Sequence, residues 1–135
     1  MSRYVLVDAN VLLDVATDDP ERAERSGAAL ARVANETALA INPIVYAEVS
    51  VGYDRIEDLD AALPPETFVR LPLPWAAGFL AGKCFVRYRK AGGMRRSPLP
   101  DFYIGAHAAL EGFPLLTRDT RRYRTYFPRL QLVTP

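Results

Sequence analysis

The chain has 135 residues, a length that fits a single domain spanning residues 1–135. Half of its residues are hydrophobic and 24% are charged, which excludes an intrinsically disordered protein. Its formal net charge of +1 excludes a uniform polycation but conceals an asymmetry. Residues 1–67 carry 5 basic and 13 acidic side chains, a net charge of −8, whereas residues 68–135 carry 12 and 3, a net charge of +9. Such asymmetry indicates a nucleic-acid partner.

Short apolar runs alternate with longer segments of helical periodicity. In chain order, the pattern predicts a strand at residues 4–7, helices at 10–16 and 20–34, a strand at 38–41, helices at 44–53 and 56–63, a strand at 67–71, helices at 74–91 and 100–111, and strands at 114–117 and 130–133. Asp19 and Asn42 are the expected N-caps of two of these helices, and Gly112 is the expected stop of another. The alternation predicts a three-layer α/β domain with a mostly parallel sheet, whose ligands bind at the carboxyl ends of the strands.

The chain carries no sign of export or membrane insertion. No apolar segment is long enough to cross a bilayer, and Asp8 interrupts the first apolar run too early for a signal peptide. The single cysteine, Cys84, excludes an intramolecular disulfide and a cysteine-based zinc site, and its apolar helix predicts a core position. We therefore expect a cytoplasmic protein with no membrane partner.

Four acidic side chains occupy positions that predict a shared pocket. Asp8 and Asp119 follow the first and fourth strands, where an acid can equally be a loop or capping residue. Glu48 and Asp101 lie on the apolar faces of two helices, where the simpler alternatives are an ion pair and a favourable helix dipole. Taken together, the four acids would form an anionic pocket that needs cations, and its oxygen ligands suit Mg²⁺ or Mn²⁺ rather than zinc.

The segments that carry these acids resemble the four motifs of the PIN-domain nucleases, in the family's order. They are residues 7–14 (VDANVLLD), 46–50 (YAEVS), 100–108 (PDFYIGAHA) and 115–119 (LLTRD). The greatest similarity is to the bacterial VapC-type toxin ribonucleases of type II toxin-antitoxin systems. Each motif is weak alone, but the ordered set covers nearly the whole chain.

The resemblance implies a parallel sheet of order 3-2-1-4-5 and a metal-dependent endoribonuclease that leaves 5′-phosphate and 3′-hydroxyl ends. The family's motif positions imply catalytic and metal-binding roles for Asp8, Glu48, Asp101 and Asp119, and supporting roles for Asn10 and Thr117. The implied cofactor is Mg²⁺ or Mn²⁺. The implied partners are an RNA substrate, a small cognate antitoxin and a second copy of the chain in a homodimer.

The basic half of the chain holds clusters that favour contact with an RNA backbone, although a solvated face is the alternative. The candidate RNA-binding residues are Lys83, Arg87, Lys90, Arg95, Arg96 and Arg118. The only histidine, His107, shares a helix face with Glu111 and is predicted to lie at the surface. Trp75 and Phe79 are four residues apart in a helix, and a core position is favoured for them over an interface.

Three other functions remain open at this point. A PIN-domain nuclease of RNA processing would have the same site but no antitoxin. A PIN-like binding module would use only its basic surface, although the presence of all four acids argues against it. A haloacid-dehalogenase phosphatase would need a second aspartate two residues after Asp8, where this chain has Asn10.

Overall fold

The computed structural model describes residues 3–93 and 98–135. Within these residues, parallel strands form one five-stranded sheet in the order β3-β2-β1-β4-β5. The strands are β1 (Tyr4–Val7), β2 (Ala38–Ile41), β3 (Phe68–Arg70), β4 (Leu115–Leu116) and β5 (Leu132–Val133). The predicted fold class and strand order are therefore confirmed.

Helices flank the sheet and connect its strands. They are α1 (Ala9–Ala16), α2 (Ala23–Glu36), α3 (Pro43–Ser50), α4 (Ile56–Ala62), α5 (Trp75–Lys90), α6 (Leu99–Glu111) and α7 (Thr120–Tyr126). Helix α2 begins later than predicted, because Asp19 accepts hydrogen bonds from the backbone N–H groups of Glu21 and Arg22 in a turn that precedes the helix. Helix α7 was not predicted, since its short polar sequence has no apolar stripe and buries only Tyr123. None of the helices in the described ranges is both long and apolar enough to cross a membrane.

The centre of the sheet places three polar residues along its carboxyl edge. Strand β1 pairs with β2 on one side and with β4 on the other. Asp8 directly follows β1, Asn42 follows β2 and Thr117 follows β4, and all three are buried. The chain thus brings polar groups to one edge of the core, where parallel sheets bind their ligands.

Two buried polar side chains join α3 to α6. The Asn42 side-chain oxygen caps α3 by accepting hydrogen bonds from the Ile44 and Val45 N–H groups, both at 3.0 Å. Its amide nitrogen lies 3.0 Å from His107 Nδ1, and the histidine ring packs edge-on against Phe113. The predicted surface position of His107 is wrong, because α6 packs against both α5 and α3 and leaves this ring only 2% exposed.

The fully buried positions of helix α5 are small residues, and two of its large aromatic rings are exposed. Ala77, Ala81 and Cys84 are buried, which confirms the core position predicted for the cysteine. Trp75 is 96% exposed and Phe79 is 70% exposed, so the core position favoured for them is wrong. Helix α5 packs against α6, and Trp75 and Phe79 lie outside its buried face.

Candidate active site

Asp8 is the most firmly held acid at the carboxyl edge of the sheet. It is 3% exposed, and its Oδ1 accepts a hydrogen bond from the backbone N–H of Ala9 at 2.8 Å, which caps α1. Its Oδ2 accepts hydrogen bonds from Thr117 Oγ1 at 2.8 Å, Tyr123 Oη at 2.9 Å and Asn10 Nδ2 at 3.2 Å. All four donors are neutral, so they orient the carboxylate without cancelling its charge.

Asn10 and Thr117, the two predicted supporting residues, also fix the chain that leaves β4. Thr117 Oγ1 accepts hydrogen bonds from Asn10 Nδ2 at 3.2 Å and from the backbone N–H of Asp119 at 3.0 Å. Asn10 Oδ1 accepts one from the backbone N–H of Arg118 at 3.1 Å. Asp8 and the loop after β4 are therefore held by one hydrogen-bond network.

Three of the four predicted acids come together. Asp8, Glu48 and Asp101 each offer a carboxylate oxygen, and the three oxygens lie within 4.8 Å of one another. Glu48 extends from α3, and Asp101 lies in the first turn of α6. We refer to these three residues as the acid cluster.

Glu48 provides the least satisfied atom of the cluster. Its Oε1 is buried and has no hydrogen-bond partner among the described residues. A buried carboxylate oxygen without a donor is energetically costly unless a proton or a cation neutralises it. The position of this atom beside two other carboxylates therefore favours a bound cation.

The electrostatics of the acid cluster favour the same conclusion. Burial raises the pKa of Asp8 to about 6, against hydrogen bonds from Thr117 and Tyr123 that lower it. Burial, together with repulsion from Asp8 and Asp101, raises the pKa of Glu48 to about 7. Burial also raises the pKa of Asp101, although its contact with Arg122 opposes the rise. Without a cation, three carboxylates this close disfavour one another's ionised forms.

The donor set fits a hard divalent cation. It consists entirely of carboxylate oxygens, which are the ligands that Mg²⁺ and Mn²⁺ prefer, and it contains no sulfur or imidazole that would favour zinc. The residues present therefore fit the predicted cofactor.

Asp119, the fourth predicted acid, lies beside the acid cluster rather than within it. Its side chain is exposed, and no oxygen of it joins the set of three among the residues that the structure describes. Its charge nevertheless raises the pKa of Asp101, so the two carboxylates are close enough to repel each other. Asp119 thus lies at the open side of the cluster.

Three of the predicted RNA-binding residues lie on α5. Lys83 lies over the Phe79 ring at 4.9 Å, and Arg87 lies over the Tyr126 ring at 5.2 Å. Lys90 is exposed near the end of α5.

Arg118, another predicted RNA-binding residue, forms an ion pair within the protein. Arg118 donates to Asp14 from Nε at 2.7 Å and from Nη2 at 3.1 Å, so much of its hydrogen-bonding capacity is used within the protein. Arg95 and Arg96 lie outside the described residues.

Two residues of α7 that the sequence does not predict at the site, Arg122 and Tyr123, contact its acids. Tyr123 is fully buried and donates its hydroxyl to Asp8, and Arg122 Nη1 donates to Asp101 Oδ2 at 2.8 Å. No local motif marks them, because their partners are 115 and 21 residues away in the sequence. The sequence signal in this region is a run of arginines around Asp119, at positions 118, 121, 122 and 124.

Comparisons with known proteins agree with this architecture. The family model of the PIN domain matches residues 5–128. None of the curated proteins compared with the chain matches it.

Several solved toxin-antitoxin complexes contain a chain of the same fold. A chain of VapBC-1 from nontypeable Haemophilus influenzae is 19% identical, with a TM-score of 0.71 and 97% of each chain covered. A chain of VapBC2 from Rickettsia felis, bound to a DNA fragment from their promoter, is 19% identical, with a TM-score of 0.70 over 97% of this chain and 98% of that one. A chain of a toxin-antitoxin complex from Klebsiella pneumoniae is 25% identical, with a TM-score of 0.66 and 97% of each chain covered.

Proposed function

Because this chain belongs to the PIN-domain family, we propose that it is a Mg²⁺- or Mn²⁺-dependent endoribonuclease that acts as the toxin of a toxin-antitoxin pair. The observation that carries the proposal is the acid cluster, in which a buried Glu48 oxygen without a hydrogen-bond donor lies beside Asp8 and Asp101. These residues would hold the cation, and Asp119 would join from the open side of the site.

The proposed chemistry divides between the cation and the protein. A bound divalent ion would polarise the scissile phosphate and lower the pKa of an attacking water. Thr117, Tyr123 and Asn10 keep one oxygen of Asp8 in a fixed orientation, so the site is organised before the substrate binds. The only histidine, His107, is buried against Asn42, so the proposal assigns it no role as a general base.

An RNA substrate is supported by the charge of the second half of the chain. Residues 68–135 carry 12 basic and 3 acidic side chains, and Lys83, Arg87 and Lys90 follow one another along α5. The Arg87 guanidinium lies over a ring of α7, the helix that also supplies Tyr123 and Arg122. Part of this basic surface therefore lies beside the helix that supplies two side chains of the site, which supports the approach of a phosphate backbone from there.

The proposed partners are a cognate antitoxin and a second copy of the chain. The antitoxin is supported by the similar folds in the solved VapBC complexes and in the Klebsiella pneumoniae complex. The homodimer is supported by the exposed rings of Trp75 and Phe79, which lie outside the core on one side of α5. This function belongs in the cytoplasm, where RNA and a newly made antitoxin are both present.

A cleavage assay on the purified protein tests the enzymatic part of the proposal. End-labelled RNA should be cut in Mn²⁺ or Mg²⁺, spared in the presence of a chelator, and spared by Asp8→Asn in either metal. Asp54→Asn removes the same charge from an exposed position and is the matched control, which should cut as the wild type does. Cleavage by pure Asp8→Asn at the wild-type rate would refute the site assignment.

The toxin role is tested separately from the chemistry. Induced expression should arrest growth, and co-expression of a small protein encoded beside this chain should relieve the arrest and co-purify with it. If cleavage is observed but no neighbouring protein binds the chain, the alternative of an RNA-processing nuclease without an antitoxin is favoured.

A further inference from the structure

We propose that Arg122 is a built-in counter-cation of the acid cluster and competes with the divalent metal ion for Asp101. The inference rests on the proposed function, because it concerns the metal that this site would bind. It adds that a side chain of the protein itself lowers the affinity of the site for the metal ion.

The contact between Arg122 and Asp101 joins two helices. Arg122 lies on α7, and its Nη1 is 2.8 Å from Oδ2 of Asp101 in the first turn of α6. The two side chains are 35% and 25% exposed, so the pair is partly shielded from water. The guanidinium carbon also lies 6.0 Å from the centre of the Tyr88 ring on α5, which supports it from a third helix.

This pair places a positive charge directly on one member of the acid cluster. Asp8 accepts hydrogen bonds only from neutral groups among the described residues, and Glu48 Oε1 accepts none from them. Within the described residues, the acid cluster therefore has a single ion pair, through Asp101. The guanidinium partly neutralises the cluster while no metal is bound.

A metal ion bound by the cluster would meet this guanidinium at close range. The proposed competition requires that a bound metal ion displaces Arg122 from Asp101. Like charges a few ångströms apart repel appreciably where water screens them incompletely. Arg122 should therefore weaken metal binding, and its removal should strengthen it.

The neighbouring arginine provides a matched control. Arg121 lies on the same helix, is exposed, and has no ion pair among the described residues. Arg121→Gln and Arg122→Gln change the net charge equally, so only the second removes the contact with Asp101. Arg122→Lys keeps the positive charge and separates its effect from the packing of the guanidinium on Tyr88.

The test is a calorimetric titration of Mn²⁺ into the whole metal-free protein, without RNA. We expect Arg122→Gln to bind Mn²⁺ about tenfold more tightly than the wild type, a change consistent with loss of a nearby unit charge. Arg121→Gln and Arg122→Lys should bind within about twofold of the wild type, because distant exposed charges are screened and lysine retains the charge.

The possible results separate this inference from the proposed function. If the wild type binds Mn²⁺ and Arg122→Gln binds it equally or more weakly, the competition is refuted while the metal site stands. If neither protein binds Mn²⁺, the proposed metal site fails and the competition fails with it.

A second measurement needs only the wild-type protein. In crystals soaked with Mn²⁺, the Arg122–Asp101 contact should lengthen beyond the 4.0 Å limit of an ion pair, relative to metal-free crystals. An unchanged contact beside a Mn²⁺ ion bound by Asp101 would overturn the inference even if Arg122→Gln did not fold.

Discussion

Two acids are buried among the described residues, Asp8 and Asp14, and their surroundings differ in charge. Asp14 on α1 is 4% exposed and receives two hydrogen bonds from the Arg118 guanidinium and one from Ser26 Oγ at 2.7 Å. Asp8, only six residues earlier, is equally buried but receives only neutral donors and lies close to Glu48. Each acid is bonded, yet only Asp14 has its charge balanced directly by an arginine.

The difference separates an acid that is paired within the chain from the acids of the proposed metal site. Arg118 follows β4, so its ion pair with Asp14 connects that loop to α1. The charge of Asp14 is therefore balanced by another residue of the chain. The acid cluster has an excess of negative charge that Arg122 offsets only at Asp101. Burial alone therefore does not mark a candidate functional carboxylate, whereas burial without a matching cation marks one.

The largest expected effect is on Asp8. Asp8→Asn should lower Mn²⁺ affinity by about 100-fold or more, because loss of even an outer partner of a metal ligand costs 10–100-fold. Asp14→Asn removes the same charge from the other buried acid and should leave Mn²⁺ affinity nearly unchanged. Calorimetric titration of both variants measures the contrast, and equal losses would mean that the two acids do not differ as described.

The Asp14 pair should matter for stability instead. Arg118→Met leaves Asp14 buried without its cation and should lower the free energy of unfolding by about 3 kcal/mol. Asp14→Asn combined with Arg118→Met should be more stable than Arg118→Met alone, because the buried charge is gone. Urea denaturation measures both values. A loss of RNA affinity in Arg118→Met without any loss of stability would favour the RNA-binding role predicted from the sequence.

The acid cluster should give the metal-free protein an unusual pH dependence. The pKa of Asp8 is raised from 3.8 to about 6 and that of Glu48 from 4.5 to about 7, so the folded protein binds these protons more tightly than the unfolded chain. The resulting stability is present below about pH 4 and is lost as the pH rises through 6 and 7. Asp8 alone contributes on the order of 2–3 kcal/mol, and the more exposed Glu48 contributes less.

The pH dependence of stability is best measured by comparing the wild type with Asp8→Asn. Urea denaturation at pH 4 and pH 7.5 should show that Asp8→Asn loses less stability over this range than the wild type does. Saturating Mn²⁺ should restore most of the stability that the wild type loses between pH 4 and pH 7.5, since metal binding stabilises the ionised carboxylates. If the wild type and Asp8→Asn lose equal stability over this range, the raised pKa of Asp8 is not a cause of the pH dependence.

The smallest expected effect concerns the orientation of Asp8. Tyr123→Phe removes one of the neutral donors to Oδ2 and should weaken Mn²⁺ binding about tenfold. Its cost to the free energy of unfolding should be about 1 kcal/mol. Tyr126→Phe is the matched control, because that tyrosine lies on the same helix and its ring packs on Phe102. Identical titrations for both variants would show that the Tyr123 hydroxyl has no positioning role.

The sequence was sufficient for features that are carried by local pattern. Apolar runs marked the strands of the sheet, and Asn42 marked the start of α3 through its capping side chain. The sequence predicts Asp8 at the end of a strand, and Glu48 and Asp101 on the apolar faces of helices. In a parallel α/β fold, such positions lie close together at the carboxyl edge of the sheet.

The features that were missed depend on contacts between distant segments. Helix α7 has no apolar stripe, so nothing local predicts that Tyr123 reaches Asp8. The exposure of Trp75 depends on which face of α5 packs on α6, and small residues rather than large ones occupy that face. His107 is buried because several elements surround α6, although its own helix pattern is that of a surface residue.

The central claim is that the acid cluster binds a divalent cation, and anomalous diffraction from crystals soaked in Mn²⁺ tests it most directly. We predict one or more peaks within about 2.5 Å of carboxylate oxygens of Asp8, Glu48 and Asp101, and none at the same place in Asp8→Asn crystals. Fully soaked wild-type crystals without a peak among these three side chains would contradict the account.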